Sequence, residues 1–146
     1  MYWRDRSLAH GAPKKRAMAA LARAGGEPGL LAYEDDEPIG WVSVAPREEF
    51  RALLASRHYR PLEPESGVWS IVCFLVDRYQ RRRGVAATLL AAAMKHAFAR
   101  GAAAIEAYPH RANAAEYMGS VPLYESAGFK RARDANKRAI YRLNAR

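Results

Sequence analysis

The 146-residue sequence holds one cysteine, Cys73, so neither an intrachain disulfide nor a cysteine-based metal site can form. Its four histidines, His10, His58, His96 and His110, lack the spacing of metal ligands, and no metal is expected. No apolar run approaches the ~20 residues of a membrane-spanning helix. The first residues, MYWRDRSLAHG, lack the apolar stretch of a secretory leader. These absences point to a cytoplasmic protein without membrane contact. Phosphate-loop signatures are missing too: no Gly-Lys-Ser/Thr and no Gly-x-Gly-x-x-Gly occurs. No Cys–His or Ser–His–Asp arrangement stands out, so no nucleophilic side chain is called for. Cys73 lies in an apolar segment and reads as an inert core thiol.

Acidic residues are also scarce, 15 Asp and Glu against 24 Lys and Arg, for a net charge of +9. Residues 1–26 carry six basic side chains against one Asp, and residues 130–146 carry seven against one. Residues 27–65 reverse this, with nine acids against four arginines. A nucleic-acid-binding module would spread its excess over one continuous face, and no helix-turn-helix or zinc-finger pattern is present. Such a module stays a rival reading, and no nucleic acid is expected as a partner. The alternation of sign suits an anionic cofactor in one place and a cationic acceptor in another.

What is present is ordinary globular composition, half apolar and 27% charged, in a chain of one-domain length, residues 1–146. The chain is organised around residues 68–101. Val68 to Val76 is almost wholly apolar and β-branched, as in a strand buried on both faces. From about Arg83 to Arg100 an Ala/Leu-rich segment places Val85, Leu89, Ala92, Ala93 and His96 at helical spacing, with Gly101 as the stop signal. Between them Arg81, Arg82 and Arg83 sit where a helix begins. Cations there oppose the macrodipole, by a few tenths to about 1 kcal/mol each at exposed sites. No Ser, Thr, Asp or Asn stands ready to cap that helix. A positive, uncapped start followed by Gly84 suits an anion, held by the amides of Gly84, Val85, Ala86 and Ala87 with arginines as counter-charges.

A strand, then Arg81-x-x-Gly84-x-Ala86, then a helix resembles the acyl-CoA-binding motif of the GNAT-type N-acetyltransferase superfamily. A second stretch, Pro122-Leu-Tyr-Glu-Ser-Ala-Gly-Phe129, resembles the Tyr-Glu-x-x-Gly-Phe of the same enzymes. The resemblance implies an α/β fold: a twisted mixed β-sheet flanked by helices, with a splayed central strand pair. It implies acetyl-CoA as co-substrate, its diphosphate at the turn and its pantetheine arm along the backbone of Phe74, Leu75 and Val76. An N–H of that strand would polarise the thioester carbonyl. Tyr124 would protonate the departing thiolate, which a phenol with a pKa near 10 can do at neutral pH. The superfamily often carries Asn seven and Ala four residues before this tyrosine. Here those positions are Tyr117 and Ser120, so by position Tyr117 would border the arm. Many members also carry a catalytic Glu on the strand matching Val68–Val76, which has no acid here.

Met1–Arg4 could begin an edge strand, and Lys14–Ala24 reads as a helix with an apolar stripe of Ala17, Met18, Leu21 and Ala22. In the superfamily this early helical region shapes the acceptor pocket. Gly29–Tyr33 and Ile39–Ala45 read as strands around an acidic turn, the second needing a bulge. Glu48–Ser56 reads as a short helix, followed by a loop with Pro61 and Pro64 over the acceptor side. Arg47, Glu48, Glu49 and His58 are the candidate specificity residues there. Ala103–Tyr108 is the next strand. Its Glu106 interrupts an apolar run, costly unless paired or open to a cleft, and is the candidate general base, directly or through water. Pro109–Ser120, with Asn113, is irregular; Val121–Ala127 is a short helix; Phe129–Arg133 and Ala139–Leu143 form a closing hairpin. The expected function is transfer of an acetyl group to a primary amine of a small molecule or peptide by direct attack. A GNAT-like fold with altered catalysis is the alternative. Monomer and homodimer are equally compatible.

Overall fold

The computed structural model of the chain describes residues 1–63, 66–112 and 117–146. Six strands form one mixed sheet: β1 (Leu30–Glu34), β2 (Glu37–Pro46), β3 (Val68–Val76), β4 (Ala104–Ala107), β5 (Lys130–Ala135) and β6 (Arg138–Asn144). Their spatial order is β1-β2-β3-β4-β6-β5, and every neighbouring pair is antiparallel except β3–β4. That one parallel pair is joined through α3 (Val85–Ala99), the crossover such pairing requires. Three further helices are α1 (Ala12–Arg23), α2 (Arg51–Leu54) and α4 (Val121–Ser126).

Each face of the sheet carries its own apolar cluster. On one, Val85, Leu89, Leu90, Ala93 and Ala97 of α3 and Tyr124 of α4 meet Val42, Val44, Ile71 and Phe74. The buried face of α3 is thus displaced from the expected one: Ala92 is exposed, while Leu90 and Ala97 are covered. A Cβ at Gly40 would stand 2.9 Å from Val85 and 3.0 Å from Leu89, so only glycine lets α3 approach β2 this closely. On the other face, Phe50, Leu53 and Tyr59 cover Ala45, Val72, Tyr108 and Ile140.

The β1–β2 turn is two residues long, with Asp35 at φ 52. The bulge expected in β2 lies at Ile39, which has no β1 partner between Gly40 and Pro38. Three expectations are corrected. Met1–Arg4 is a turn, not an edge strand: the Arg4 N–H folds back to the Met1 carbonyl at 2.9 Å. Arg47–Ser56 is a 3-10 turn and one turn of α-helix rather than a single helix. No residue of α1 is buried, and the segment before it packs more tightly than the helix. Pro64, in the expected acceptor-side loop, and Asn113, in the irregular stretch, lie outside the described residues.

Candidate active site

Strands β3 and β4 pair from Val68↔Ala104 to Ile71↔Ala107, and their pairing ends there among the described residues. Opposite β2, Ser43 faces Cys73 and Val44 faces Ile71, leaving Val72 as the extra residue of a bulge. A bulge bends its strand and breaks the ladder locally. Among the described residues, β3 therefore runs on to Val76 with no strand paired on its β4 side. Asp77 turns its N–H to β2, donating to the Ile39 carbonyl at 2.9 Å, whereas Phe74 turns its N–H the other way, to the Tyr117 carbonyl. By the alternation of an antiparallel ladder, the N–H and C=O of Val76 face the β4 side as well. Leu75 points its backbone at β2, and its side chain is 53% exposed.

Beyond β3, Asp77 accepts from the Tyr79 N–H at 2.8 Å and starts a 3-10 turn over Arg78–Gln80. Arg81 is extended, Arg82 has φ 61, and Gly84 has φ 81 immediately before α3. The helix thus begins at Val85, and the three arginines form the turn that leads into it. No side chain caps it, and its first ladder bond is Thr88 N–H to the Gly84 carbonyl at 3.0 Å. The N–H groups of Val85, Ala86 and Ala87 precede that ladder. A Cβ on Gly84 would meet nothing within 4 Å, so the space before the turn is open. Arg83 holds Glu34 at 3.0 Å and bonds Gln80, bracing the turn against the β1–β2 hairpin. Its hydrogen bond to Glu34, more than the charge alone, lowers that carboxyl below its ordinary pKa. Arg78 and Arg81 line a groove of about 480 Å³ with Leu75, Val76 and Trp41. Left-handed backbone, unladdered amides, open space and cations fit a diphosphate.

A second cavity, of about 590 Å³, adjoins the bulge: Val72 and Cys73 line it, with Tyr117 and Met118 beside them. Trp41 lines both spaces. Of the loop candidates, only His58 lines this cavity. Arg47 is buried and bonds the Tyr59 carbonyl, Glu49 pairs with Arg4, and Glu48 is exposed. Helix α1 contributes no lining residue; Met1–Arg4 and Arg6 do so instead. That segment is tied down by the Ala52 N–H donating to the Trp3 carbonyl at 3.0 Å and by Trp3 edge-on to Tyr59. Lone aromatics and arginines near a terminus carry no periodic signal, so sequence reasoning missed Trp3 and Arg4 as lining residues.

Tyr124 is fully buried between Phe74 and Phe129, and its hydroxyl donates to the Met118 carbonyl at 2.7 Å. Burial pushes its pKa far above the ordinary phenol value, so it remains a proton donor at neutral pH. Met118 puts this hydroxyl next to the cavity wall. Glu106 is 1% exposed and does not face a cleft. Arg142 Nη1 stands 3.0 Å from one oxygen, and the other accepts from the Tyr108 hydroxyl at 3.1 Å with Arg47 Nε at 3.4 Å. Tyr108 in turn meets the Ser70 hydroxyl at 2.8 Å, so the network spans β4 and β3 beside the last paired residues. Tyr117 approaches β3 through its backbone; its side chain is 65% exposed.

Residues 1–129 match the profile of the acetyltransferase (GNAT) family. No curated protein matches the chain in sequence. Among solved structures, the ribosomal-protein-alanine N-acetyltransferase of Brucella melitensis is similar at TM-score 0.63 and 20% identity, over 90% of this chain and 76% of that one. The PaiA N-acetyltransferase of Thermoplasma acidophilum, in complex with coenzyme A, gives 0.65 and 15%, over 92% and 72%. The yncA protein of Salmonella typhimurium, with acetyl-CoA, gives 0.64 and 18%, over 93% and 75%. At these identities the likeness is one of fold.

Proposed function

The chain belongs to the acetyltransferase (GNAT) family, and from that premise we propose that it moves an acetyl group from acetyl-CoA to a primary amine by direct attack. The observation that carries this reading is the fork: β3 leaves β4 after Ile71, bulges at Val72 and leads into the open Arg81–Ala87 turn. Amides of Val85–Ala87 with Arg81 and Arg82 hold the diphosphate, and the edge of Phe74 and Val76 receives the pantetheine arm. Acetyl-CoA supplies the acyl group as a thioester, an activated carbonyl that needs no enzyme nucleophile.

An N–H of β3 within Phe74–Val76 polarises that carbonyl once the arm has replaced Tyr117 there. Tyr124 gives a proton to the sulfur, exchanging its bond to Met118 for one to the thiolate, and regains a proton from the attacking nitrogen through water as the amide forms. The proton of the acceptor ammonium leaves through water in the cavity, beside His58. Glu106 serves as an anchor of the fork, since its oxygens already have Arg142, Arg47 and Tyr108 as partners. The reducing cytoplasm suits the single unpaired thiol.

Calorimetric titration with acetyl-CoA, followed by thiol release over a panel of amines, tests the reading. Saturable binding with amine-dependent release is the expected result. Binding without release for any amine would favour a fold with altered catalysis. Salt-sensitive duplex DNA binding in place of acetyl-CoA binding would favour the basic module instead.

A further inference from the structure

We infer that the acceptor is a small amine that also carries a carboxylate, which pairs with Arg4 in the cavity beside the β3 bulge; this rests on the acetyl-transfer reading above. Arg4 is 8% exposed and lines the cavity. Its Nη1 pairs with Glu49, and its guanidinium lies over the Phe50 ring, 4.7 Å from the centroid. Its Nε and Nη2 are buried and have no hydrogen-bond partner. Those two nitrogens form one edge of the planar guanidinium, with parallel N–H bonds spaced to meet both oxygens of a carboxylate. A buried donor left unpaired costs about 1–3 kcal/mol. The two share one edge of a side chain that lines the cavity, and both are closed off from solvent, so a carboxylate reaches them by shifting the packing over that edge.

The rest of the lining agrees in sign. Arg6, Arg138 and His58 also border the cavity, and none of its described lining residues is Asp or Glu. Of the acids that make residues 27–65 negative, Glu27 pairs with Arg100 and Glu34 with Arg83, and Glu49, not itself a lining residue, pairs with Arg4. A polycationic acceptor would face like charges here. Trp3, Trp41 and Tyr59 give the cavity an aromatic wall, so the body between amine and carboxylate can be apolar. The segment that sets Arg4 in place is pinned to α2 through Trp3, which makes the arginine a fixed element of the site.

The test compares L-amino acids with their decarboxylated amines as acceptors, read as kcat/KM for thiol release from acetyl-CoA. The wild-type protein should prefer the carboxylated member by roughly 10- to 100-fold, the range of a lost charge-assisted pair. Arg4→Met should remove that preference, and Arg4→Lys should restore only part of it. Equal use of both members by the wild type would overturn the proposal, and that comparison needs no variant to fold. A preference kept in folded Arg4→Met would also overturn it. Turnover confined to decarboxylated amines refutes this inference alone, while absent acetyl-CoA binding refutes the function beneath it as well.

Discussion

The Phe74 N–H donates to the Tyr117 carbonyl on the β4 side of β3. The segment leading to α4 therefore holds an amide that the proposed acyl donor would use, and binding must exchange one acceptor for another. Acetyl-CoA added to ¹⁵N-labelled protein should shift the amide resonances of Phe74, Met118 and Gly119 more than those of the β5–β6 hairpin. A Phe74 resonance unmoved at saturation would mean that the arm lies elsewhere. Because the contact is through the Tyr117 backbone, Tyr117→Ala should change acetyl-CoA affinity by no more than a few-fold.

Gly84 stands at φ 81 with open space where a Cβ would go. Gly84→Ala adds the strain of a left-handed L-residue, about 1–2 kcal/mol, and no charge. Gly84→Glu adds the same strain together with an anion at the expected phosphate position, where like charges about 4 Å apart repel by roughly 4 kcal/mol near a protein surface. Both variants should unfold at similar temperatures, while calorimetry shows at least a tenfold weaker acetyl-CoA affinity for Gly84→Glu than for Gly84→Ala. Matching affinities would remove the turn from the binding site.

Much of this arrangement could be read from the residues, and its failures have physical causes. The run Val68–Val76 is almost wholly apolar because both faces of β3 are covered from Val68 to Val72, so the strand was visible. The arginine turn was visible because it breaks the rule for helix starts. The bulge at Val72 was not, since a register step depends on β2 and leaves no mark in β3 itself. Glu106 was legible as an anomaly but not as a paired one: Arg47 and Arg142 lie 59 and 36 residues away in the chain. Arg4 escaped notice for the same reason, its surroundings being assembled from α2, β2 and β3.

Tyr124 offers two readings on one side chain. Tyr124→Phe removes the proton proposed for the leaving sulfur and should lower kcat by about 10²-fold or more, with acetyl-CoA affinity nearly unchanged. Equal rates would end the acid role. Burial also raises the folded pKa of Tyr124 and of Tyr108 above the unfolded value near 10. Below pH ~10 both states keep these protons and the stabilisation is fully present. Above it the unfolded chain ionises first, so each tyrosine lowers stability by up to about 1.4 kcal/mol per pH unit. Urea unfolding between pH 9 and 11.5 should show this decline, shallower in Tyr124→Phe.

Glu106 separates a catalytic from an architectural carboxylate. Its oxygens meet Arg142 and Arg47, whose side chains are 7% and 6% exposed, and the Tyr108–Ser70 hydroxyl pair links it to β3. Glu106→Gln keeps the shape and removes the charge that Arg142 Nη1 and Arg47 Nε meet. Breaking such a pair costs about 3–5 kcal/mol. The urea midpoint should fall accordingly, and Arg142→Met added to Glu106→Gln should recover part of the loss, because the two sites are coupled. Activity per folded molecule should then stay within about tenfold of wild type, with the acidic limb of the pH–rate profile unmoved. A general base would behave in the opposite way: stability near wild type, kcat down by about 10²-fold or more, and the acidic limb gone. That outcome would return Glu106 to the chemistry and take the clamp away from the fork.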